Sequence, residues 1–280
     1  MRLTEYEIEK LIEEDIPYFD LTSHVLKLKN TNAEIVYSMR ENSVVCGTEE
    51  CAKIFERFNV EVQSWIESGT QVESGKVVLS GKGRGDKVHK VWKVCQNLLE
   101  YCSGIANRTK TLIERAKKVN PSIEIFTTRK TFPLAKKICI KGILCGGALP
   151  HRLGLSETIL IFKNHSVLKG GLRNVLRELP ELKRRIPEKK IVIEAENIEE
   201  AFECIKSGAD IVQIDKFSPS DIKKVVEFRN KTAPQVKIAA AGGIREENVE
   251  IFAETGVDFL VLTSAYFGKP ADVKVEIRPC

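Results

Sequence analysis

The second half of the chain alternates short apolar segments with helical patterns of hydrophobic residues. Six apolar segments are each three to five residues long, which suits buried strands. Strands that alternate with helices predict a parallel sheet and an α/β fold. The predicted strands are Ile123–Phe126, Thr158–Ile161, Ile191–Ile193, Ile211–Ile214, Val236–Ala240 and Phe259–Leu262.

A polar or glycine-rich cluster directly follows each predicted strand. The carboxyl ends of parallel strands meet at one face, where α/β barrels and open α/β sheets carry their chemistry. We therefore expect two acids, several bases and two phosphate-binding loops to lie together at the carboxyl-terminal face of the sheet. The clusters are Thr128–Lys130, Lys163–His165, Glu194, Asp215–Lys216, Gly242–Gly243 and Thr263–Ser264.

The first half of the chain has a different pattern. Thr4 and Glu7 form a capping box that predicts a helix over residues 5–14. Thr48 is predicted to cap a helix over residues 49–57, and the glycine turns near Gly69 and Gly75 resemble a barrel-sandwich hammerhead or an ordinary hairpin. Strand-like runs surround these features at Ala33–Met39, Ser43–Cys46, Val60–Trp65 and Lys76–Ser80.

A long helical pattern over Lys87–Val119 leads into the alternating half, with a bend or a change of helix expected at Ser103-Gly104. We place the domain boundary near residue 108. Residues 1–108 are predicted to form an N-terminal α+β domain of the sandwich or hammerhead type, joined by a C-terminal strand within 267–280. Residues 109–266 are predicted to form an incomplete six- or seven-stranded α/β barrel, because a full eight-unit barrel needs at least about 200 residues.

The composition excludes several classes of protein. The net charge of +5 suits anionic small-molecule substrates and is too small for a nucleic-acid-binding surface. The eight cysteines include no C-x-x-C pair, and the chain opens on a charged helix instead of a signal peptide. We therefore expect reduced thiols and a cytoplasmic protein. No apolar run approaches the roughly 18 residues that a membrane span requires.

Glu194 and Asp215 are the candidate metal ligands. They end successive strands, and two neighbouring carboxylates can share Mg²⁺, which otherwise keeps water and substrate oxygens. Salt bridging to a local lysine such as Lys216 is the alternative. Glu196 and Glu199 are discounted because they lie in the following loop and helix.

Gly242-Gly243 and Thr263-Ser264 are the candidate phosphate site. Glycines let backbone N–H groups approach an anion, and a helix predicted to start near Arg245 would add its positive end. Barrels of this kind bind phosphate in the loops after their last two strands. A tight turn without a ligand is the alternative.

Five bases in three loops form the candidate anion-binding set. Guanidinium groups bind carboxylates and phosphates in a bidentate way, whereas lysine acts as a point charge. Bases that face two acids suit a polyanionic substrate held partly through a metal. The set is Arg129, Lys130, His151, Arg152 and Lys163.

The order and spacing of these residues resemble the quinolinate phosphoribosyltransferase (nicotinate-nucleotide pyrophosphorylase) family of type II phosphoribosyltransferases. The resemblance covers nearly the whole chain, and Pro17–Asp20, Thr128–Pro133 and Leu149–Glu157 are similar to its ModD branch, named for its association with molybdenum-transport genes. The family motifs are Glu14-Asp15, Asp20–Thr22, Ser103–Ala106, Thr127–Thr131, Gly146-Gly147, His151–Ser156, Asn164-His165, Glu194, Asp215–Phe217, Gly242–Ile244 and Gly256–Asp258.

The resemblance implies phosphoribosyl pyrophosphate as donor, Mg²⁺ as cofactor, and a homodimer, or a higher oligomer, with shared active sites. In such a dimer the N-terminal domain of one subunit covers the barrel of the other. Glu194 and Asp215 match acids near the metal and ribose, and Lys130 matches a lysine near pyrophosphate. The acceptor carboxylate would bind Arg129, His151 and Arg152, and the 5′-phosphate would bind Gly242, Gly243, Thr263 and Ser264.

Two departures from the family pattern fall on the acceptor side. Phe162 stands where quinolinate enzymes carry a lysine, and Lys163 comes one place later. A shift of one residue on a strand points a side chain to the opposite face. Lys93 aligns with an arginine that, in the family, reaches the active site of the other subunit. A lysine at this position cannot make the two parallel hydrogen bonds that an arginine makes with a carboxylate.

The sequence therefore predicts an enzyme that transfers ribose 5-phosphate from phosphoribosyl pyrophosphate to a ring nitrogen of a small heterocycle less acidic than quinolinate. One alternative is a true quinolinate phosphoribosyltransferase of NAD biosynthesis with a rearranged pocket. Another is a non-catalytic accessory protein that binds a phosphorylated ligand or an oxyanion in molybdenum handling. The two acids favour an enzyme, because a phosphate-binding protein needs only the glycine loop and bases.

Overall fold

A computed structural model describes all 280 residues and divides the chain into two compact units. The first unit contains Met1–Lys110, Thr131–Gly147 and Tyr266–Cys280, and the second contains Thr111–Lys130 and Ala148–Ala265. No helix is long and apolar enough to cross a bilayer.

The first unit is an antiparallel sheet covered by helices. The sheet has four strands in the order β13 (Val273–Pro279), β1 (Asn32–Met39), β5 (Val77–Arg84) and β3 (Glu61–Trp65), while β2 (Ser43–Val44) pairs with β4 (Gln71–Val72) alone. The strands on either side of the glycine turns, β3 and β5, pair with each other antiparallel, as the hairpin alternative expects, whereas β4 between them pairs with β2. Up to the long helix, the elements are α1 (Glu5–Asp15), α2 (Leu21–Val25), β1 (Asn32–Met39), β2 (Ser43–Val44), α3 (Thr48–Arg57), β3 (Glu61–Trp65), β4 (Gln71–Val72), β5 (Val77–Arg84) and α4 (Gly85–Val119).

The second unit carries a seven-stranded parallel sheet that makes an incomplete barrel. Its strands follow one another in the order β7 (Leu149–Pro150), β6 (Glu124–Thr127), β12 (Phe259–Leu262), β11 (Lys237–Ala241), β10 (Ile211–Asp215), β9 (Ile191–Ala195) and β8 (Ile159–Ile161). The predicted α/β fold with an incomplete barrel and an N-terminal sheet domain is confirmed. From the first barrel strand onwards, the elements are β6 (Glu124–Thr127), α5 (Lys136–Cys145), β7 (Leu149–Pro150), β8 (Ile159–Ile161), α6 (Lys163–Leu168), α7 (Leu172–Arg185), β9 (Ile191–Ala195), α8 (Ile198–Lys206), β10 (Ile211–Asp215), α9 (Pro219–Thr232), β11 (Lys237–Ala241), α10 (Val249–Ala253), β12 (Phe259–Leu262) and β13 (Val273–Pro279).

Each unit has its own apolar core. In the first unit the fully buried Ile35 and Tyr37 of β1 pack with Phe55 of α3 and with the apolar face of α4. In the barrel, small side chains of β11 and β12 pack with two partly buried rings, Phe126 and Phe259. Because Ala239 and Ala241 are small, they leave space in the barrel interior that larger side chains would fill.

Two local predictions are wrong for physical reasons. The helix α4 runs through Ser103-Gly104 without interruption. A Cβ on Gly104 would collide with the backbone carbonyl of Lys269, so this glycine permits close packing of the C-terminal segment. Thr48 does not cap α3, because it is the first helical residue and its hydroxyl donates to the carbonyl of Ile66 at 2.6 Å.

Candidate active site

Glu194 and Asp215 lie at the carboxyl ends of the adjacent strands β9 and β10. Both side chains are half-buried. Gln213 stands opposite Glu194 in the parallel register, and its Nε2 donates to Glu194 Oε2 at 2.7 Å. Asp215 follows two residues after Gln213, so both side chains point to the same face of β10. The sheet therefore brings two carboxylates and one buried amide together.

Burial raises the pKa of Glu194 above its usual value, and the negative charges of Asp215 and Glu196 add to this effect. The hydrogen bond from Gln213 and the charge of Lys130 act in the opposite direction. Two carboxylates of like charge in a partly desolvated place attract a cation. No cluster of three or more His, Cys, Asp and Glu side chains could hold a metal ion by itself. The pair thus fits Mg²⁺ only if water and substrate supply the other ligands.

The salt-bridge alternative for Asp215 has little support from the geometry. Lys216 Nζ lies 4.0 Å from Asp215 Oδ2, and the lysine side chain is 79% exposed. Lys216 has a left-handed backbone, φ 62°, and its N–H donates to the carbonyl of Ala241 at 2.9 Å. A long, exposed contact of this kind contributes little binding energy, so Asp215 remains available to a ligand.

Gly242-Gly243 form a tight loop after β11, with φ values of 82° and 72°. The helix predicted near Arg245 is wrong. The Asn248 side chain accepts from the Arg245 N–H at 2.7 Å and donates to the Gly243 carbonyl at 3.0 Å. This side chain closes a turn, and α10 begins only at Val249 and has five residues. The helix-end contribution to phosphate binding is therefore lost, and the loop's own N–H groups remain.

Thr263 and Ser264 follow β12 and are tied to neighbouring loops. The Ser264 hydroxyl donates to the Ile244 carbonyl at 2.9 Å, and the Thr263 and Thr128 hydroxyls lie 2.9 Å apart. These bonds hold the ends of β6 and β12 and the loop after β11 together. The geometry gathers Gly242, Gly243, Thr263 and Ser264 at one edge of the sheet.

Arg129 and Lys130 follow β6, and His151 and Arg152 follow β7, its neighbour in the sheet. Burial and then the positive charge of Arg129 lower the pKa of Arg152. Burial and then the charge of Arg152 lower the pKa of His151 from its usual value, which favours the neutral ring. The bases at these two strand ends are therefore two arginines, Lys130 and a histidine whose surroundings disfavour the charged form.

Aromatic rings surround the buried end of this basic group. The His151 ring lies 6.4 Å from the Phe126 ring and 6.1 Å from the Phe259 ring, measured between centroids. The Arg152 guanidinium lies over the Phe162 ring at 5.9 Å. The place next to Arg152 that the family resemblance assigns to a lysine thus holds an aromatic face.

Lys163 does not join the other bases. It is exposed, and its Nζ pairs with Glu196 Oε2 at 2.6 Å. The same ion pair engages the Glu196 carboxylate, which was not expected to be a metal ligand. His165 stacks on Phe162, with centroids 5.8 Å apart, and its Nδ1 accepts from the Phe162 N–H. Lys93 lies on α4 in the other unit, where its Nζ donates to Gln96 at 2.9 Å.

Gln213 is the residue of this site that sequence reasoning missed. A signal was present, because a glutamine stands in the middle of an otherwise apolar strand that ends in Asp215. A buried amide requires a hydrogen-bond partner, and a carboxylate on the next strand is such a partner.

Comparisons with known proteins agree with this geometry. The chain matches the sequence models "Quinolinate phosphoribosyl transferase, N-terminal domain" over residues 20–103 and "Quinolinate phosphoribosyl transferase, C-terminal domain" over residues 105–276. It therefore belongs to the quinolinate phosphoribosyl transferase family, a family of transferase enzymes.

Within the family the chain is ModD-like. It is 33% identical over 272 residues to the "Putative pyrophosphorylase ModD" of Pasteurella multocida, covering 97% of this chain and 96% of the relative. It is also 30% identical over 277 residues to the "Probable nicotinate-nucleotide pyrophosphorylase [carboxylating]" of Methanothermobacter thermautotrophicus, covering 97% and 98% of the two chains.

Solved structures share the fold. The nicotinate-nucleotide pyrophosphorylase from Ehrlichia chaffeensis has a TM-score of 0.90 at 24% identity, with 99% of this chain and 100% of that chain covered. NadC from Streptococcus pyogenes has a TM-score of 0.88 at 23% identity, with 100% and 99% covered.

Proposed function

We propose that this protein transfers the 5-phosphoribosyl group of phosphoribosyl pyrophosphate to a ring nitrogen of a heterocyclic acceptor. The observation that carries the proposal is the pair Glu194 and Asp215 on adjacent strand ends, half-buried and under the influence of Lys130. The bond between ribose C1 and the pyrophosphate oxygen breaks, and a bond between C1 and the ring nitrogen forms.

Each group has a role that its chemistry supports. The two carboxylates would stabilise the positive charge that develops on the ribose, and Lys130 would bind the leaving pyrophosphate. The loop Gly242-Gly243, with Thr263 and Ser264, would bind the 5′-phosphate through backbone N–H groups and hydroxyls. Holding donor and acceptor together supplies much of the rate enhancement.

Glu194 and Asp215 would hold Mg²⁺ in this proposal. When bound, the ion neutralises part of the negative charge on the leaving pyrophosphate. Support comes from the two like-charged carboxylates, which a dication would stabilise, and from the oxygen-only donor set.

The acceptor is proposed to be a carboxylated heterocycle with fewer charges than quinolinate. Arg129 and Arg152 supply cations for one carboxylate, while Phe162 offers an aromatic face next to Arg152. True quinolinate phosphoribosyltransferase activity is the second candidate. It is favoured by the archaeal relative named as a nicotinate-nucleotide pyrophosphorylase and by the two arginines.

Titration calorimetry with phosphoribosyl pyrophosphate tests the donor site. The wild type and the Glu194→Gln, Asp215→Asn double variant are titrated with and without Mg²⁺. We expect tight binding only by the wild type with Mg²⁺. Equal affinity in all four titrations would remove both the metal and the role of the acids.

We also propose a homodimer with shared active sites and a cytoplasmic location. The dimer is supported by the exposed apolar residues at the start of the chain, Tyr18, Phe19, Leu21, Val25 and Leu26. The location is supported by eight free cysteines, a number that suits a reducing compartment.

A further inference from the structure

The packing of β10 does not require an amide at position 213, where Gln213 lies. It is a polar side chain, only 5% exposed, in the strand Ile211–Asp215, where its neighbours Val212 and Ile214 are fully buried apolar residues. Burying an amide is unfavourable unless it is hydrogen-bonded. Methionine or leucine would fill the same volume without this requirement.

The hydrogen bond of Gln213 goes to one oxygen of a proposed metal ligand. Its Nε2 donates to Glu194 Oε2 at 2.7 Å, across the parallel pair β9–β10. The donor lies on β10, the strand that also carries Asp215. The position of Glu194 relative to Asp215 is therefore set by a single strand. An amide that holds one carboxylate oxygen restricts the side-chain torsion and does not use the second oxygen, Oε1.

Other neighbours of Glu194 cannot do this. Lys130 is an exposed side chain on a loop, and Asp215 and Glu196 repel the carboxylate. Glu196 is itself paired with Lys163 at 2.6 Å. Gln213 is thus the neutral donor that orients Glu194 from a rigid strand, and supporting groups of this kind typically change metal affinity or activity by about 10- to 100-fold when removed.

We propose that Gln213 is a positioning residue that orients the Glu194 carboxylate for Mg²⁺-dependent donor binding and transfer. This inference rests on the proposed function, because it gives a role to a group that acts only through Glu194.

A double-mutant cycle on donor binding tests the inference without relying on activity. The four proteins are the wild type, Gln213→Met, Glu194→Gln and the double variant, titrated with phosphoribosyl pyrophosphate in excess Mg²⁺ by calorimetry. We expect Gln213→Met to weaken binding roughly tenfold in the wild-type background. In the Glu194→Gln background the same change should have an effect below about twofold, because the carboxylate that Gln213 orients is gone.

Two further variants separate positioning from packing. Val212→Ala lies one residue away on the opposite face of β10 and should lower the melting temperature while leaving donor affinity unchanged. Gln213→Leu also removes the donor, adds no charge and should weaken binding about as much as Gln213→Met. With quinolinate as the acceptor, both Gln213 variants should lower kcat by about tenfold or more while the KM for quinolinate stays within about twofold.

The possible failures are distinguishable. If the wild type shows no Mg²⁺-dependent binding of the donor, the proposed function is overturned and the inference with it. If the wild type binds and both Gln213→Met and Gln213→Leu bind as tightly as the wild type, the inference alone is overturned. Equal losses from Gln213→Met in both backgrounds, or a loss of donor affinity in Val212→Ala, would also overturn it.

Discussion

At the scale of single residues, Gly242 determines where Asp215 can lie. It has φ 82°, and a Cβ at this position would lie 2.5 Å from Asp215 Oδ1 and 2.6 Å from Lys216 Cγ. Both the backbone conformation and the space therefore require glycine. The same carboxylate is a proposed metal ligand, so an added methyl group should act on the chemistry as well as on the fold.

We predict that Gly242→Ala weakens Mg²⁺-dependent donor binding by at least tenfold, because Asp215 must move to accommodate the methyl group. Calorimetry with phosphoribosyl pyrophosphate measures this. Gly208→Ala is the matched control. Gly208 has φ 76° and open space around its Cβ position, so this variant carries a similar backbone strain of roughly 1–2 kcal/mol without a clash. A donor affinity in Gly242→Ala equal to that in Gly208→Ala would contradict the prediction.

The acceptor pocket supports a second prediction at the residue scale: quinolinate should be a poor acceptor. A doubly charged acid needs several cations, because a buried unpaired carboxylate costs several kcal/mol. Phe162 lies next to Arg152 where the family resemblance expects a lysine, and Lys93 replaces an arginine. Each lost charge-assisted hydrogen bond is worth roughly 1.5–3 kcal/mol, so the two together weaken transition-state binding by about two to four orders of magnitude.

A steady-state assay with quinolinate checks this prediction. The Phe162→Lys, Lys93→Arg double variant should gain activity over the wild type. Lys163→Met is the control, because Lys163 pairs with Glu196 and should not affect quinolinate use. A wild-type kcat/KM of about 10⁴ M⁻¹s⁻¹ or more would favour true quinolinate phosphoribosyltransferase activity instead.

The identity of the strand-end residues could be predicted from the sequence, whereas their partners could not. Strand ends converge by geometry, so Glu194 and Asp215 could be paired without a structure. Lys163 also follows a strand, yet it turns towards Glu196, and only side-chain geometry reveals this. Likewise, the lowered pKa of His151 follows from its burial beside Arg152.

At the scale of secondary-structure elements, a buried cation links α5 to α3 within the first unit. Lys141 on α5 donates to Glu49 at 2.6 Å and to Glu50, both in the first turn of α3. Burial alone would lower the pKa of Lys141, but its bonds to the two carboxylates raise it. Removing one member of such a cluster leaves a buried charge without a partner.

We predict that Lys141→Met lowers the free energy of unfolding by about 3–5 kcal/mol, because Glu50 is left buried without its cation. Chemical denaturation measures this. Lys137→Met is a matched control on the same helix. Lys137 pairs with Glu7 at 2.9 Å with both side chains partly exposed, so this variant should lose less than about 1 kcal/mol. Equal losses in the two variants would contradict the buried-charge interpretation.

The same cluster predicts how stability changes with pH. Burial by itself would raise the pKa of Glu49, but Lys141 and Ser68 lower it from 4.5 to about 2. A carboxylate whose folded pKa is depressed stabilises the fold above its unfolded pKa and loses this contribution as pH falls. The stability difference between wild type and Lys141→Met should therefore narrow between pH 4.5 and pH 2. A constant difference across this range, in denaturation curves at several pH values, would exclude Glu49 as the cause.

The periodicity of the sequence predicts helices and strands well where buried residues recur regularly. It predicts them poorly where a single tertiary contact determines where an element begins or ends. The barrel strands alternate with amphipathic helices, so their positions follow from the pattern alone. Gly104 resembles a helix break but is needed for the approach of Lys269, which is 165 residues further along the chain. The start of α10 is delayed because the Asn248 side chain closes a turn. Such contacts leave no periodic signal.

At the scale of the whole molecule, the exposed apolar residues near the N-terminus support the proposed assembly of two copies of the chain. Tyr18 is 91% exposed, and four further large apolar side chains within Phe19–Leu26 are more than half exposed. Monomeric proteins rarely expose so many apolar side chains in one short segment. A second copy of the chain is the partner that the family resemblance implies.

The proposed shared active sites lead to a complementation prediction. Lys93→Ala and Glu194→Gln should each inactivate the homodimer, the first at the acceptor and the second at the donor site. If Lys93 of one subunit serves the barrel of its partner, a mixed dimer has one doubly defective site and one intact site. Random mixing of equal amounts makes about half of the dimers mixed, so roughly a quarter of the wild-type activity should return.

Subunit exchange after mild denaturation, followed by a pyrophosphate-release assay, measures the recovered activity, and differently tagged subunits quantify the mixed dimers. A mixture of Glu194→Gln with Asp215→Asn is the matched control. Both of these residues lie in the same barrel, so every site in that mixture keeps a defect and no activity should return. If mixed dimers of Lys93→Ala and Glu194→Gln form and remain inactive, Lys93 acts within its own subunit or not at all. Full wild-type activity in an isolated monomer would show that the sites are not shared, because a monomer has no partner to complete its barrel.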